Sequence, residues 1–368
     1  MQIKAAVVHE RSAPFVIDTL ELAPPRPDEL IVRVVASGMC QTDLHGRDGY
    51  YAVTSYPAVF GHEGAGVVHA VGCAVRDFAP GDPVVMSYPW CGECENCRRF
   101  RLNYCANARN LKNRGTRADG STLLAKDGAA VYGAFFQQSS FGTFALTQAR
   151  YAVKVRRDAP LHLIGPLACS GQTGAGAVFN VLKPNAGDSF AVFGAGAVGL
   201  SALMAAKICG CAPIVVVDVH EHRLALAREL GATHTVNANA SSDVVGAVRN
   251  AAAGGVHCAV DTSAVPKALR EAIESLITGG TCVLLGSARS GSEASFEMPF
   301  LQQGRMVRGV VQGDSVPREF IPTLIDLMLA GRFPLERMIK FYELADINLA
   351  AQESSAGIAI KPVLRMPH

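Results

Sequence analysis

The sequence predicts an α/β protein made of two unlike parts: a mainly-β first part, then a doubly wound parallel sheet. Three observations carry that expectation. Over the first 150 residues, short apolar runs are punctuated by Gly and Pro. From about residue 171, strand-like runs alternate with helical ones. One of those strands ends in the turn GAGAVG, and the next ends in an aspartate 24 residues after the first glycine. Alternation of this kind builds parallel sheets, and the pairing of Gly-rich turn and strand-end acid is the mark of a dinucleotide site.

At 368 residues the chain is longer than one core usually supports. With 49% hydrophobic and 18% charged residues, it has the composition of well-filled globular cores, which excludes a disordered chain. A formal net charge of +2 provides no global field for nucleic acid or acidic membrane. The tightest basic group, Arg98, Arg99 and Arg101, carries too few charges for a phosphate track. The N-terminal stretch MQIKAAVVHERSAPF lacks an apolar run of signal-peptide length, and the eleven cysteines are unevenly spaced. Both features predict a cytoplasmic protein with reduced thiols available for metal or catalysis. Ala191 to Val217 is long and apolar enough to mimic a membrane span, but its glycines divide it into strand, turn, helix and strand.

In chain order, IKAAVV (3–8), ELIVRVVASG (29–38), GAGVVHAVG (64–72) and DPVVMSY (82–88) read as strands of the first part. In the second part, SFAVFG (189–194) leads into a helical run, and IVVVDV (214–219) precedes the helix HRLALARELG (222–231). HCAVDTS (257–263) precedes the helix KALREAIESL (267–276), and TCVLLGS (281–287) follows. After RMVRGVVQG (305–313) come a helix, FIPTLIDLMLAG, and a strand-like end, IAIKPVLR (358–365). The expected division is 1–170, with a lobe at about 88–110, then 171–313, then 314–368 returning to the first domain.

Within GAGAVG, Gly194 permits the tight turn, Gly196 lets a pyrophosphate approach the backbone, and Gly199 lets the helix pack on the strand. The helix N-terminus offers N–H groups to phosphates. Asp218 accepts hydrogen bonds from ribose hydroxyls and repels a 2′-phosphate, which favours NAD, while Arg223 is a nearby cation that softens the preference. A glycine-lined packing contact is the plainer alternative. A second cluster, SGQTGAGA (170–177), lacks the preceding strand and the following acid, so it reads as a close-packed helix start.

Cys91, Cys94, Cys97 and Cys105 have the spacing C-x2-C-x2-C-x7-C, which lets thiolates converge on one tetrahedral ion. An iron–sulfur cluster is the competitor, but here the fourth cysteine comes late and no proline follows it, so zinc is preferred. Four protein ligands leave no position for a substrate. Cys40 in GMCQTDLH, His62 in FGHEGAG and Cys169 in GPLACSGQTG stand elsewhere. Taken singly, each is equally a small core residue or a hydrogen-bonding histidine.

In this order, GMCQTD, GHEGAG, the four-cysteine lobe, the Cys169 segment, GAGAVG and Asp218 resemble, end to end, the zinc-dependent alcohol dehydrogenases of the medium-chain dehydrogenase/reductase superfamily. The resemblance implies a GroES-like catalytic domain, a Rossmann coenzyme domain, two zinc ions per chain, NAD, and a homodimer or homotetramer. It implies that Cys40, His62 and Cys169 bind the catalytic zinc, leaving the fourth position to water or substrate oxygen. Glu63 becomes a group able to approach the metal during ligand exchange, and Asp43 the carboxylate that orients the zinc-bound histidine. Thr42 matches the hydroxyl on the substrate oxygen, His45 the end of a proton relay, Thr173 a residue against the nicotinamide, and Lys361 a cation for the pyrophosphate. The implied chemistry is hydride transfer from an alcohol to the nicotinamide, giving an aldehyde or ketone.

Two departures narrow the resemblance. Polyol-type relatives commonly have Glu where this chain has Cys169, and Gln41 stands where several animal members place an Arg on the pyrophosphate. GAFFQQSSFGTFA (133–145) and the ending IKFYELADIN with IKPVLR resemble the bacterial aryl-alcohol (benzyl alcohol) dehydrogenases. That implies a benzylic or allylic primary alcohol in a pocket lined by Phe135 and Phe136, with aliphatic or terpenoid alcohols as the alternative. Both Phe side chains are otherwise core filling. A zinc-ribbon nucleic-acid protein and a zinc-free quinone reductase are the competing functions.

Overall fold

The structure, a computed structural model, describes residues 1–367. The chain divides into two compact units: Met1–Cys169 with Val316–Asp326 and the stretch from Leu335 onward, and Ser170–Ser315 with Leu327–Pro334.

The first unit contains two sheets. In the smaller, Gln2–Val8 lies between Ala58–Val59 and Phe15–Leu22, and Leu124–Lys126 and Ala129–Val131 complete five strands. In the larger, the order is Ala152–Lys154, Pro83–Met86, Glu63–Val71, Glu29–Gly38, Lys361–Arg365 and Ile339–Glu343, with Phe144–Gln148 also pairing to Glu29–Gly38. Glu29–Gly38 is almost wholly buried, so its sequence is a continuous apolar run rather than an alternating one. The tail strand Lys361–Arg365 pairs antiparallel with its C-terminal end, Val363 opposite Gly38. That pairing carries Lys361 into the interior. Phe60, Phe135, Phe141, Leu20 and Leu30 are among the largest side chains fully buried in the surrounding core.

The second unit holds six parallel strands in the order His234–Asn237, Ile214–Asp218, Phe190–Phe193, Val256–Asp261, Leu276–Leu284 and Met306–Gly309. Counted along the chain this is 3-2-1-4-5-6, the doubly wound order whose reversal point lies beside the first strand. Every residue of Phe190–Phe193 and Ile214–Asp218 is buried, as expected where helices cover both faces. Ala191 to Val217 accordingly splits into strand, the helix Ala197–Ile208 and strand. Among the described residues no helix is long and apolar enough to cross a membrane.

Local pattern misjudged some boundaries and one element. The helix expected over 267–276 ends at Glu274, and the next strand begins at Leu276. The first unit, expected to be mainly β, also has a short helix, Gln41–Arg47, that local pattern did not show. It starts because the Asp43 carboxylate accepts the Cys40 backbone N–H at 2.9 Å, closing the first turn back on its own cap.

Candidate active site

Cys40, at the N-cap of Gln41–Arg47, His62 and Glu63, at the start of Glu63–Val71, and Cys169, after the turn Gly165–Ala168, converge in the first unit. One ligand atom from each lies within 4.8 Å of the others. His62 Nδ1 donates to Asp43 Oδ1 at 2.8 Å, while the buried Nε2 has no hydrogen-bond partner. An orphaned, desolvated imidazole nitrogen facing two thiols is costly unless an ion occupies the space, so the donor set fits zinc. Asp43, fully buried, also accepts the Gly61 N–H at 3.1 Å. One carboxylate therefore fixes the ring of one ligand and the backbones beside two.

The Cys169 thiol interacts with Cys40 and lowers the latter's pKa well below a thiol's ordinary value, against burial but with help from Lys361. The same contact and burial drive Cys169 the other way. Two thiols this close and partly desolvated cannot both ionise unaided, and a cation between them removes the conflict.

Glu63 and Lys361 form a buried pair, with Lys361 Nζ donating to both carboxylate oxygens at 3.0 and 3.1 Å and to Met39 O at 3.2 Å. Lys361, expected at a pyrophosphate, thus has its ammonium committed to the carboxylate beside the metal cluster. Glycine makes the space: a Cβ on Gly38 would fall 2.0 Å from Glu63 Oε2, and one on Gly165 2.2 Å from Glu63 O. No sequence signal singled out either glycine.

Phe135 and Phe136 pack on His62, with ring separations of 6.0 and 4.5 Å, and on each other at 5.0 Å. Phe136 and Gln137 have φ of +49° and +57°, a left-handed strain that needs support from outside the turn. Gln137 Nε2 donates to Leu111 O and Thr116 O at 3.0 Å, and Ser139 Oγ to Val59 O at 2.6 Å. Gln138 bonds the His62 carbonyl at 3.0 Å. The turn is held against the histidine by its polar residues, which sequence reading passed over.

Thr42 and His45 sit on one face of Gln41–Arg47 at a spacing of three residues. Sequence reading also missed Tyr50 and Tyr51. His45 stacks on Tyr50 at 4.2 Å, and Tyr51, its phenol pKa pushed up by burial, hydrogen-bonds the Thr42 side chain.

The lobe is the second metal group: the thiols of Cys91, Cys94, Cys97 and Cys105 all lie within 4.8 Å of one another. Cys91 and Cys97 Sγ are 3.9 Å apart, close to the roughly 3.8 Å edge of a tetrahedron of thiolates around zinc. The backbone N–H groups of Cys91, Cys94 and Ala106 donate to thiols of the set at 3.3–3.4 Å. The Ala106 bond heads the causes that lower the Cys94 pKa to about 6, whereas burial heads those that raise Cys97 to about 12. Four thiols this close require a cation to ionise together.

In the second unit, each glycine of GAGAVG shows its own constraint. Gly194 has φ +98°, a Cβ on Gly199 would fall 1.8 Å from Gly194 O, and one on Gly196 would meet nothing within 4 Å. The first and third serve the turn and helix packing, and the second leaves open space over the backbone, as a pyrophosphate needs. Asp218 accepts the N–H of Ala195 at 2.6 Å and of His220 at 2.9 Å, placing its carboxylate against the turn. Thr262, not anticipated, ties the other side through Oγ1 to Gly194 O at 2.9 Å. Thr173, on the helix Ser170–Gly176, reaches Gln312 Oε1 at 3.4 Å. A Cβ on Gly174 would fall 2.1 Å from Val198 O, so the second glycine cluster serves close packing.

Comparison with known proteins gives concordant matches. A family model described as a zinc-binding dehydrogenase matches residues 197–330, and one described as an alcohol dehydrogenase GroES-like domain matches residues 26–157. The geraniol dehydrogenase of Castellaniella defragrans is 40% identical over 98% of this chain and 97% of its own. The class-3 alcohol dehydrogenase of Myxine glutinosa is 34% identical over 99% and 97%. Among solved structures, an alcohol dehydrogenase zinc-binding domain protein from Burkholderia ambifaria superposes with TM-score 0.97 at 49% identity, and the benzyl alcohol dehydrogenase of Acinetobacter calcoaceticus with 0.95 at 41%, both chains covered completely in each case.

Proposed function

This chain belongs to the zinc-dependent alcohol dehydrogenases of the medium-chain dehydrogenase/reductase superfamily, with zinc and NAD(H) as cofactors, and we propose that it oxidises aromatic (benzylic) or allylic primary alcohols to aldehydes. The observation that carries the substrate class is the strained Phe135–Phe136 turn packed on His62, which sets two buried aromatic rings against a candidate metal ligand, Phe136 at 4.5 Å from the imidazole. Similarity to a benzyl alcohol dehydrogenase and to a geraniol dehydrogenase supports it, since both named alcohols carry the hydroxyl one carbon from a π system.

When bound, zinc supplies a Lewis acid that acidifies an alcohol, and the nicotinamide accepts the hydride. Cys40, His62 and Cys169 would hold that ion, and the lobe's four cysteines a structural one. Asp43 holds His62 in the tautomer that leaves Nε2 free. Thr42, with Tyr51 on its hydroxyl, takes the alcohol proton, and His45 on the same helix face passes it on towards solvent. Lys361 restrains the Glu63 carboxylate. Asp218 selects NAD over NADP through the ribose hydroxyls, with Arg223 next along the chain and Thr173 beside the nicotinamide.

The partners are small-molecule alcohols and aldehydes, not nucleic acid or membrane, in keeping with the near-neutral charge. The protein works in the cytoplasm, a reading supported by eleven cysteines that are all unpaired. It assembles as a homodimer or homotetramer: the edge strand Met306–Gly309 is exposed at every residue, the kind of edge that another chain covers.

Steady-state kinetics on benzyl, cinnamyl, geranyl, hexyl and secondary alcohols with NAD and NADP test the proposal. The expected result is the highest kcat/KM for a benzylic or allylic alcohol with NAD, and a maximum for hexanol or a secondary alcohol overturns it. A terpenoid substrate is the second reading, favoured by the geraniol dehydrogenase match, and the geraniol arm of the panel decides it.

A further inference from the structure

Within the second unit, the segment SGQTGAGA (170–177) packs against the turn Gln312–Asp314, which none of the chemistry above uses. Gln312, Gly313 and Asp314 have φ of +54°, +65° and +48°, three left-handed residues in a row of which only one is glycine. Such a backbone persists only where its surroundings hold it, and strain of this kind gathers at ligand clamps. Here the hold is visible. A Cβ on Gly313 would fall 2.2 Å from Gln172 O, and one on Gly176 2.4 Å from Gly313 O, so the two backbones meet through glycine on both sides. Asn180 Nδ2 donates to Gly313 O at 2.9 Å.

Side chains close the contact. Gln312 Oε1 accepts from Gln172 Nε2 at 3.2 Å and from Thr173 Oγ1 at 3.4 Å, and the Ser315 hydroxyl lies 2.8 Å from Gln172 Oε1 and 2.6 Å from Gln312 O. Gln172, Thr173, Gln312 and Ser315 are all buried. A buried polar network is costly wherever a donor is left unmatched, so each member limits the positions of the others. The turn follows the strand Met306–Gly309, at the carboxyl edge of the parallel sheet. A dinucleotide crosses that edge where the strand order reverses. With Asp218 ending the second strand on one side, the nicotinamide half falls on the side of the fourth to sixth strands, where this turn and Thr173 meet.

We infer that Gln312 is a positioning residue for the nicotinamide half of the cofactor: its side-chain oxygen ties Thr173 and the helix Ser170–Gly176 to the left-handed turn, so that this wall is in place before the cofactor arrives. The inference rests on the reading that Thr173 lies beside the nicotinamide, and deepens it. Gln312 acts through Thr173 and the turn, not by contact. An acceptor that fixes them in advance spares the cofactor the entropy of ordering them, and the gain reaches only ligands that carry the nicotinamide ring.

The test is calorimetric titration of the zinc-loaded enzyme with NADH and with ADP-ribose, which keeps the adenosine and the pyrophosphate but lacks the nicotinamide ring. In Gln312→Leu the dissociation constant for NADH should rise about tenfold and that for ADP-ribose less than about twofold, through loss of the acceptor that Gln172 and Thr173 share. A loss of stability alone would weaken both ligands alike. Gln312→Asn, which withdraws the acceptor by one methylene, should show the same selective loss and serves if the leucine variant does not fold. Gln312→Glu keeps acceptor oxygens at the same reach and should recover most of the NADH affinity relative to ADP-ribose. Equal losses for the two ligands, no loss for either, or no recovery in Gln312→Glu overturns the proposal and leaves Gln312 as a packing residue. Thr173→Val tests the reading beneath it. If that variant keeps the wild-type ratio while Gln312→Leu loses it, the reading of Thr173 fails by itself and Gln312 acts through the turn; a ratio unchanged in both overturns the proposal.

Discussion

The four thiols of the lobe come from fifteen consecutive residues, Cys91 to Cys105, whereas Cys40 and Cys169, with His62 between them, are 129 residues apart in the chain. The lobe closes through short-range N–H to sulfur bonds. The other cluster exists only because a helix cap, the start of a central strand and a turn after residue 165 are brought together, with Asp43 bonded to two of the three segments. A site that a local loop can close tends to use all four corners on protein and becomes a staple. One assembled from distant segments can leave a corner open and have its walls shaped by other parts of the fold.

The largest contrast comes from removing one ligand from each set. Cys169→Ala should drop the metal content from two zinc ions per chain to one and lower kcat at least ~10³-fold, with the melting temperature nearly unchanged. Two zinc ions remaining would show that Cys169 is not a ligand. Cys97→Ser should also leave one zinc, but with the opposite signature: stability falls by several kcal/mol, on the scale of structural zinc, and residues 91–105 become open to limited proteolysis. Loss of activity without loss of stability in this variant would erase the distinction between the two sites.

Asp43→Asn probes the assembly of the open site without replacing a ligand. Zinc affinity at that site alone should weaken about 10- to 100-fold in competition with a chelator, while the lobe zinc stays bound. The smallest effects separate ligand space from packing within GAGAVG. Gly196→Ala should raise the dissociation constant of NAD about tenfold and leave the melting temperature in place, because its Cβ meets no protein atom. Gly199→Ala, whose Cβ would fall 1.8 Å from Gly194 O, should lower the melting temperature first. Equal melting temperatures for the two variants would contradict the assigned roles.

What could be read along the chain follows the same division. The cysteine spacing of the lobe and the strand, turn, helix and acid of the nucleotide unit lie within short windows, so a parallel doubly wound sheet with Asp218 at a strand end could be expected from local pattern, whereas the strand order and the bond of Asp218 to the turn came from the fold. Cys40, His62 and Cys169 were legible only through resemblance to a family, because nothing in their individual neighbourhoods separates a ligand from a core residue. The helix Gln41–Arg47 escaped notice because seven residues show little periodicity, and its start depends on the Asp43 cap.

By itself the sequence pointed to the two architectures, the closed metal set and the glycine turn, because the patterns that signal each of them lie within short windows of the chain. Only the tertiary structure decided that Lys361 pairs with Glu63, that Gly38 and Gly165 make room for that carboxylate, that Tyr51 meets Thr42, and that Phe136 packs on His62. Those outcomes depend on strand register and on which side chains share a crowded volume, and a linear pattern carries neither until the sheets have formed.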